Sequence, residues 1–307
     1  MGATDTKILY VAGPGRSGST LLTDILGQVD GWANVGELMF FWRNRAPGST
    51  RSCGCGALLI ECAFWAEVAE RAPKATALDR SVVELAYRSR AASRWPGLVV
   101  RERRHDAAFD AWRDALAELY AAVAAATGCR VIIDSSKQPP SALVATSPGV
   151  GDVSLLQLTR DPRAVVTSWL YPKASEDFPD EQLFAMRPSR STFDWIAQSA
   201  ATDFVLRRRV SADRYLRLAY EDFVAQPRPS VERIVAWMGE PDVALPFTSA
   251  TTVVTEPTHS ISGNPDRLGG SERSIVDRQR WRSELDPRTR RMVEVATWPL
   301  ARAYGYR

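Results

Sequence analysis

The chain has 307 residues, which suits one large α/β domain or two small ones. At 45% hydrophobic and 24% charged residues it holds enough apolar material for a substantial core, which excludes a disordered chain. A formal net charge of +3 provides no general polyanion-binding surface, so nucleic acid is not an expected partner.

No basic leader followed by a long apolar stretch opens the sequence, and no run of about 18 apolar residues occurs, so neither a secretory signal nor a membrane span is expected. A cytoplasmic protein follows as the default. Four cysteines in a chain of this length do not make a disulfide scaffold.

In chain order, the apolar run Ile8-Leu9-Tyr10-Val11-Ala12 predicts a strand over 7–12. The segment Gly13-Pro14-Gly15-Arg16-Ser17-Gly18-Ser19-Thr20 follows, then a helical pattern over 18–29. Strand, glycine-rich loop and helix in that order turn successive backbone N–H groups toward one point, and the helix N-terminus adds partial positive charge there. Both favour a bound phosphate or similar anion. The spacing nearly fits the nucleotide loop G-x-x-x-x-G-K-[ST], but Ser19 stands where the lysine for the β/γ-phosphates belongs. Arg16 is the only cation in the loop, so the loop suits an anion and is poorly built for ordinary ATP hydrolysis.

A short apolar segment, Trp32 to Val35, leads to Gly36-Glu37 and the aromatic cluster Phe40-Phe41-Trp42, which reads either as acceptor-site wall or as core. Residues 43–56, rich in Arg, Gly, Ser and Cys, read as an irregular excursion. Within it, Cys53-Gly54-Cys55 and Cys62 form a C-x-C-x6-C pattern. Only three ligands are clustered, and a fourth would have to be Cys129 or a histidine, so zinc and a disulfide stay open as alternatives. Free thiols packed near Phe64-Trp65 are the favoured reading, with no metal among the site residues. Helical patterns follow at 62–72, 79–91 and 106–127, with Trp95-Pro96-Gly97 as a break. Arg101-Glu102-Arg103-Arg104 reads as a solvated turn.

The apolar run from Cys129 to Asp134 predicts a second strand, followed by Ser135-Ser136-Lys137 and a helix start at Pro139-Pro140. Val153 to Leu158 predicts a third strand, ending at Thr159-Arg160. Asp161-Pro162 is an N-cap with proline at the first helical position, and the helix runs to Leu170. Three prolines and many charges make 171–190 a lid loop. A helix over 191–210, a strand over 215–218, a helix over 228–238, a loop-like stretch over 240–273 and helices over 276–284 and 287–297 complete the chain. Buried strands alternating with helices predict an α/β fold with a central parallel sheet flanked by helices on both faces. Ligands of such sheets bind beyond the carboxyl ends of the strands, where the loop, Asp134 to Lys137, Arg160 and Tyr220 all fall.

Ser168 lies seven residues past the N-cap Asp161, two helical turns, so it shares the face of the helix start. Arg160 and Ser168 together can grip a second phosphate some distance from the glycine-rich loop.

The loop, the stretch Arg160-Asp161-Pro162-Arg163 with Ser168, and the late Trp281-Arg282 resemble the sulfotransferases that use 3′-phosphoadenosine 5′-phosphosulfate (PAPS). The resemblance spans about 7–284, is weak over 70–128 and 172–212, and is closest to bacterial members related to tyrosylprotein and carbohydrate sulfotransferases. It implies a single domain over 1–307 with an insertion at 43–128, a P-loop-type fold, and transfer of a sulfuryl group to an alcohol or phenol with release of PAP.

The resemblance also implies roles. Arg16, Ser17, Gly18, Ser19, Thr20 and Leu21 match the 5′-phosphosulfate loop, and Arg160 with Ser168 matches the 3′-phosphate site. Tyr220 matches a tyrosine near the adenine, and Gly263, Asn264 and Arg267 lie in a loop that closes over the donor. Glu37 matches a glutamate base, and Lys137 a lysine aimed at the bridging oxygen of the scissile bond. Neither His105 nor His259 stands where many relatives carry a histidine base. For Glu37 the plainer reading is a helix cap, for Lys137 a solvated loop lysine; Asp134 would orient Lys137 or the phosphate loop.

The implied partner is a small-molecule hydroxyl acceptor such as a natural product, glycan or lipid. Its pocket is expected from 38–60, 171–190 and the helices of 79–127, and a homo-oligomer is compatible with the sequence. Two other readings remain. A P-loop small-molecule kinase would need a lysine for the γ-phosphate and a Mg²⁺ site. A catalytically silent nucleotide-binding protein would have no use for both Glu37 and Lys137.

Overall fold

The computed structural model describes residues 6–90, 106–171, 185–268, 270–277 and 279–306. The expected break at 95–97, the turn at 101–104, His105 and residues 172–184 of the expected lid lie outside them.

The first unit is β1 (Lys7–Ala12), the glycine-rich loop and α1 (Ser19–Leu26), after which β2 (Trp32–Gly36) forms from the short apolar segment. The helices α2 (Ala63–Arg71), α3 (Arg80–Ser89) and α4 (Ala107–Thr127) follow. Then come β3 (Val131–Lys137), α5 (Pro139–Ala145), β4 (Asp152–Thr159), α6 (Pro162–Leu170), α7 (Pro188–Phe204) and β5 (Tyr215–Ala219). The helices α8 (Tyr220–Ala225) and α9 (Pro227–Trp237) complete the outer layer beyond β5.

Five strands form one sheet in the order β2-β3-β1-β4-β5, and every pairing is parallel. Alternate residues of β1 feed two different cores. Ile8, Tyr10 and Ala12 join one apolar cluster with Trp65, Trp112 and Leu119. Leu9 and Val11 join the other with Leu22, Ile25 and Phe223. A sheet buried on both faces reads as apolar runs rather than an alternating pattern; β1 does so after Lys7, β3 does so up to Ile133, and β4 is apolar apart from Asp152, Ser154, Gln157 and Thr159. Packing of α2 and α3 against α4 covers the first face over the region where the family resemblance is weakest.

Three segments differ from the sequence reading. β3 continues three residues past Asp134 to Lys137 because a register shift opposite Tyr10–Ala12 lets the strand follow the start of the loop. α7 begins at Pro188, inside the expected lid, since proline is favoured in a first helical turn. The loop-like 240–273 stretch holds an antiparallel pair, β6 (Thr252–Thr255) and β7 (Ser271–Ser274). Its strands are four residues each and mostly polar, which leaves no periodic signal. The chain closes with α10 (Trp281–Glu284) and α11 (Pro287–Ala303), the latter carrying Pro299 in its interior.

Leu9 is fully buried in the central strand. Leu9→Ala is expected to cost about 2–5 kcal/mol, read as a drop in urea midpoint at unchanged m-value.

Candidate functional site

Each of the five parallel strands delivers one chemically distinctive group at its carboxyl end. Glu37 follows β2, Lys137 ends β3, the glycine-rich loop follows β1, Arg160 follows β4 and Tyr220 follows β5. This edge is where open parallel sheets bind ligands.

The loop's glycines are fixed by space as well as by backbone angle. A Cβ on Gly13 would lie 2.2 Å from the Leu158 carbonyl oxygen, on Gly15 2.9 Å from the Trp169 ring, and on Gly18 2.4 Å from the Tyr220 ring. Gly18 also has φ +91°, where a side chain is strained. Arg16 itself sits at φ 68°, a left-handed conformation uncommon outside glycine. Its Nε donates to Ser168 Oγ at 3.0 Å, and its guanidinium lies over the Trp169 ring at 5.5 Å. Arg160 donates to the Arg16 carbonyl at 3.0 Å and stacks on Tyr220 at 4.2 Å. The two stretches expected to grip separate phosphates therefore meet in one basic wall running from Ser168 through Arg16 and Arg160 to Tyr220. Two polar atoms of that wall, Ser17 Oγ and Arg160 Nε, are buried without a hydrogen-bond partner. Buried polar groups without partners are rare, and at an anion loop they suit an acceptor-rich ligand.

α6 is held from behind. Asp161 caps it by accepting from the Arg163 N–H, and its carboxylate also takes the Arg163 guanidinium at 2.7 Å. Trp281 stacks on Arg163 at 4.0 Å, which places the late tryptophan behind the helix start rather than in the groove.

Glu37 and Lys137 face each other: Lys137 Nζ lies 2.5 Å from Glu37 Oε1, with side chains 9% and 13% exposed. This replaces both plainer readings. Lys137 is not a solvated loop lysine, and Glu37 makes no side-chain cap of the turn at 38–40. Lys137 sits at φ 62°, and Gln138 N donates to the Ser136 carbonyl across it, a tight three-residue turn that costs backbone strain. Of the four non-glycine residues with positive φ among those described, Arg16, Lys137 and Ser262 all belong to the candidate site.

Asp134 does not reach Lys137; it anchors the turn before it. Its carboxylate accepts from Tyr120 OH at 2.6 Å and from the Ser136 N–H at 2.8 Å. Burial pushes its carboxyl above the usual range, opposed by those hydrogen bonds. Ser136 Oγ in turn accepts from the Met39 N–H, which ties the turn after Glu37 to β3.

The segment 258–264 crosses the edge beside Glu37. Ile261 accepts from the Glu37 N–H at 2.6 Å and donates to the Val35 carbonyl at 2.9 Å. Gly36, at φ +68°, admits this approach, since a Cβ there would lie 2.6 Å from Ile261 backbone atoms. Asn264 N donates to Thr20 Oγ1 at 3.2 Å, so the Gly263-Asn264 loop touches the start of α1 just after the glycine-rich loop. Arg267 is 3% exposed and donates to the Ser52 carbonyl, which makes it a support of that loop. Phe41 and Trp42 are core residues, and Phe40 carries Arg43 on its ring at 4.1 Å. A cavity of about 300 Å³ opens between Gly15, Gln138, Trp169, Tyr87, Arg190 and Asp194.

A model of the sulfotransferase family matches residues 9–244, more than half the chain. The chain belongs to the sulfotransferase family. Its fold agrees with solved sulfotransferase domains from the curacin biosynthetic pathway (15% identity, 99% of each chain covered, TM-score 0.55) and from the Synechococcus PCC 7002 olefin synthase (19% identity, 99% and 96% covered, TM-score 0.50). None of the curated proteins matches it. Among the described residues of this sulfotransferase, no helix is long and apolar enough to cross a membrane.

Several supports escaped the sequence reading. Tyr120 lies on a helix of the weakly matched insertion, and Asn34, which takes the Gly36 N–H, sits in a short edge strand. The one local signal was the Asp134-Ser135-Ser136 run, a polar end to a buried strand.

Gly18→Ala combines a strained φ with a clash against Tyr220 and should cost about 1–3 kcal/mol in chemical denaturation. Gly128→Ala, also at positive φ but with open space around the added methyl, should cost less.

Proposed function

We propose that this sulfotransferase moves the sulfuryl group of PAPS to a small hydroxyl acceptor and releases PAP. The observation that carries the reading is the Glu37–Lys137 pair beside the glycine-rich loop, because a withdrawn carboxylate and ammonium next to that loop are the two groups that proton removal and leaving-group support would call on.

In this reading the amides of residues 16–21 and the Arg16 guanidinium bind the phosphosulfate. Arg160 and Ser168 hold the 3′-phosphate, and Tyr220 lies beside the adenine. Gly263 and Asn264 close over the donor from the far side, and buried Arg267 braces that loop. The acceptor oxygen attacks sulfur in line with the bridging oxygen of the donor. The S–O bond to that oxygen breaks, and the electron pair leaves with PAP. Lys137 turns from Glu37 toward the bridging oxygen as negative charge grows there. Glu37, released from its partner, takes the acceptor proton. The two residues thus hold each other in a resting arrangement that donor and acceptor jointly open. The small cavity beside Gly15 and Gln138 is the proposed acceptor approach, with Trp169 and Tyr87 as apolar walls and Arg190 and Asp194 as polar ones.

The absence of a lysine at Ser19 favours this donor over ATP, since PAPS has no β/γ-phosphate pair to neutralise. Glu37→Gln should lower turnover about 10²–10⁴-fold in a PAPS assay with a mixed acceptor panel, while calorimetry shows PAP affinity retained. Absence of PAP binding to the unaltered protein would refute the donor assignment.

Removing the Arg160 guanidinium deletes a charge-assisted contact of about 1.5–3 kcal/mol. Arg160→Ala is therefore expected to weaken PAP binding about 10–100-fold, measured by the same calorimetry.

A further inference from the structure

Cys53, Cys55, Cys62 and His259 converge on one point although 206 positions separate the first from the last. Their ligand atoms all lie within 4.8 Å of one another. The sequence pattern supplied three clustered ligands; the fold brings the fourth, a histidine from the segment that crosses the sheet edge.

Three of the six separations among these atoms are those of a metal-centred tetrahedron, and none of the six exceeds 4.8 Å. Zinc–sulfur bonds of about 2.3 Å and zinc–nitrogen bonds of about 2.0–2.1 Å at tetrahedral angles require S···S of about 3.8 Å and S···N of about 3.6 Å. Here Cys55 Sγ and Cys62 Sγ are 3.8 Å apart, Cys62 Sγ lies 3.4 Å from His259 Nδ1, and Cys53 Sγ lies 3.7 Å from it. A disulfide would need sulfurs at about 2.05 Å, so the Cys55–Cys62 separation is not that of a bonded pair.

The surroundings are built to hold the four groups. Cys53 and Cys55 flank Gly54 in a tight hairpin, where Cys53 N donates to Ala57 O and Gly56 N to Cys53 O. Gly54 is pressed against the opposite segment: a Cβ there would lie 2.4 Å from the Thr258 carbonyl oxygen. Cys62 is the residue that precedes the first turn of α2, so its position is set by the start of that helix. The His259 ring stacks on Phe64 at 4.6 Å and 17°, and its carbonyl accepts from Trp65 Nε1, which fixes Nδ1 toward the sulfurs. Cys53 and Cys62 are buried while Cys55 and His259 are exposed, so the cluster has a closed floor and an open entrance.

We propose that Cys53, Cys55, Cys62 and His259 bind one zinc ion through three thiolates and the His259 Nδ1. Soft sulfur donors in a closed tetrahedral set select zinc over the harder divalent cations. Binding displaces three thiol protons and leaves the complex with a single net negative charge. Arg45, which donates to the Trp65 carbonyl and interacts electrostatically with Cys62, faces that charge. The metal is structural: all four positions are filled by protein, and none of the four residues belongs to the Glu37–Lys137 pair. It clamps the 52–62 hairpin to the 258–264 segment, two residues before Ile261 pairs with Glu37.

The test is the zinc content of the full-length protein, purified without chelators from zinc-replete cells and read by plasma mass spectrometry. About one zinc per chain is expected. Cys55→Ser, at the exposed rim, should lose it; Cys129→Ser, whose thiol lies outside the cluster, should keep it. His259→Cys should also keep it as a four-thiolate site, which separates loss of a ligand from loss of the fold. Cobalt substitution should give thiolate charge-transfer and tetrahedral ligand-field bands. Unaltered protein that stays well below one zinc per chain after incubation with excess zinc and desalting would overturn the proposal. So would a Cys55–Cys62 disulfide in the protein as isolated, or equal zinc loss in Cys129→Ser. These readings do not depend on the donor or acceptor used by the enzyme.

Discussion

The contact between Lys137 and Glu37 sets the terms for the surrounding structure. Both side chains are largely withdrawn from water, and burying two charges carries a desolvation cost that only close, well-oriented pairing offsets. Removing one partner of such a pair typically costs about 3–5 kcal/mol, since the other is left uncompensated. Neither residue arrives at its position by relaxed backbone. Lys137 needs a strained turn at the end of β3, and Glu37 needs the left-handed Gly36 just before it. The nearby network of Tyr120, Asp134, Ser136 and Met39 steadies these two turns and shares no atom with the pair itself.

Much of the fold was legible because the central strands are buried on both faces. Such strands are predominantly apolar, and the polar groups that end them stand out, as Asp134 does after Val131-Ile132-Ile133 and Arg160 after β4. β2 was harder to recognise as a strand, being five residues long and interrupted by Asn34. The β6–β7 pair left no periodic trace, because its strands are short and mainly polar. In the candidate site, residue types at fixed spacing point to the glycine-rich loop and to Ser168. What spacing could not reveal was contact between distant segments: Arg16 with Ser168, Ile261 with Glu37, or His259 with three cysteines.

The proposed donor side and the proposed acceptor side differ in how they are made. The basic wall from Ser168 to Tyr220 is assembled from the glycine-rich loop, the end of β4, the last turn of α6 and the start of α8, and its hydrogen bonds are charge-assisted and directional. The cavity beside Gly15 takes its walls from α3, α6 and α7 and from residues near the expected lid, where helix packing rather than sheet geometry sets the dimensions. Change in those helices can reshape the cavity while leaving the sheet edge intact.

The crossing of 258–264 over the sheet edge also bears on when the protein becomes competent during its synthesis. Val35 and Glu37 wait for Ile261, and Thr20 waits for Asn264, a delay of more than two hundred residues of translation. Synthesis proceeds from the N-terminus, and contacts of large sequence separation form late. The nascent chain can make β1, the glycine-rich loop and all five strands of the parallel sheet available while Glu37 still lacks its backbone support. Glu37 gains this backbone support only once residue 261 has been made, and a product truncated before 258 would carry the glycine-rich loop without it.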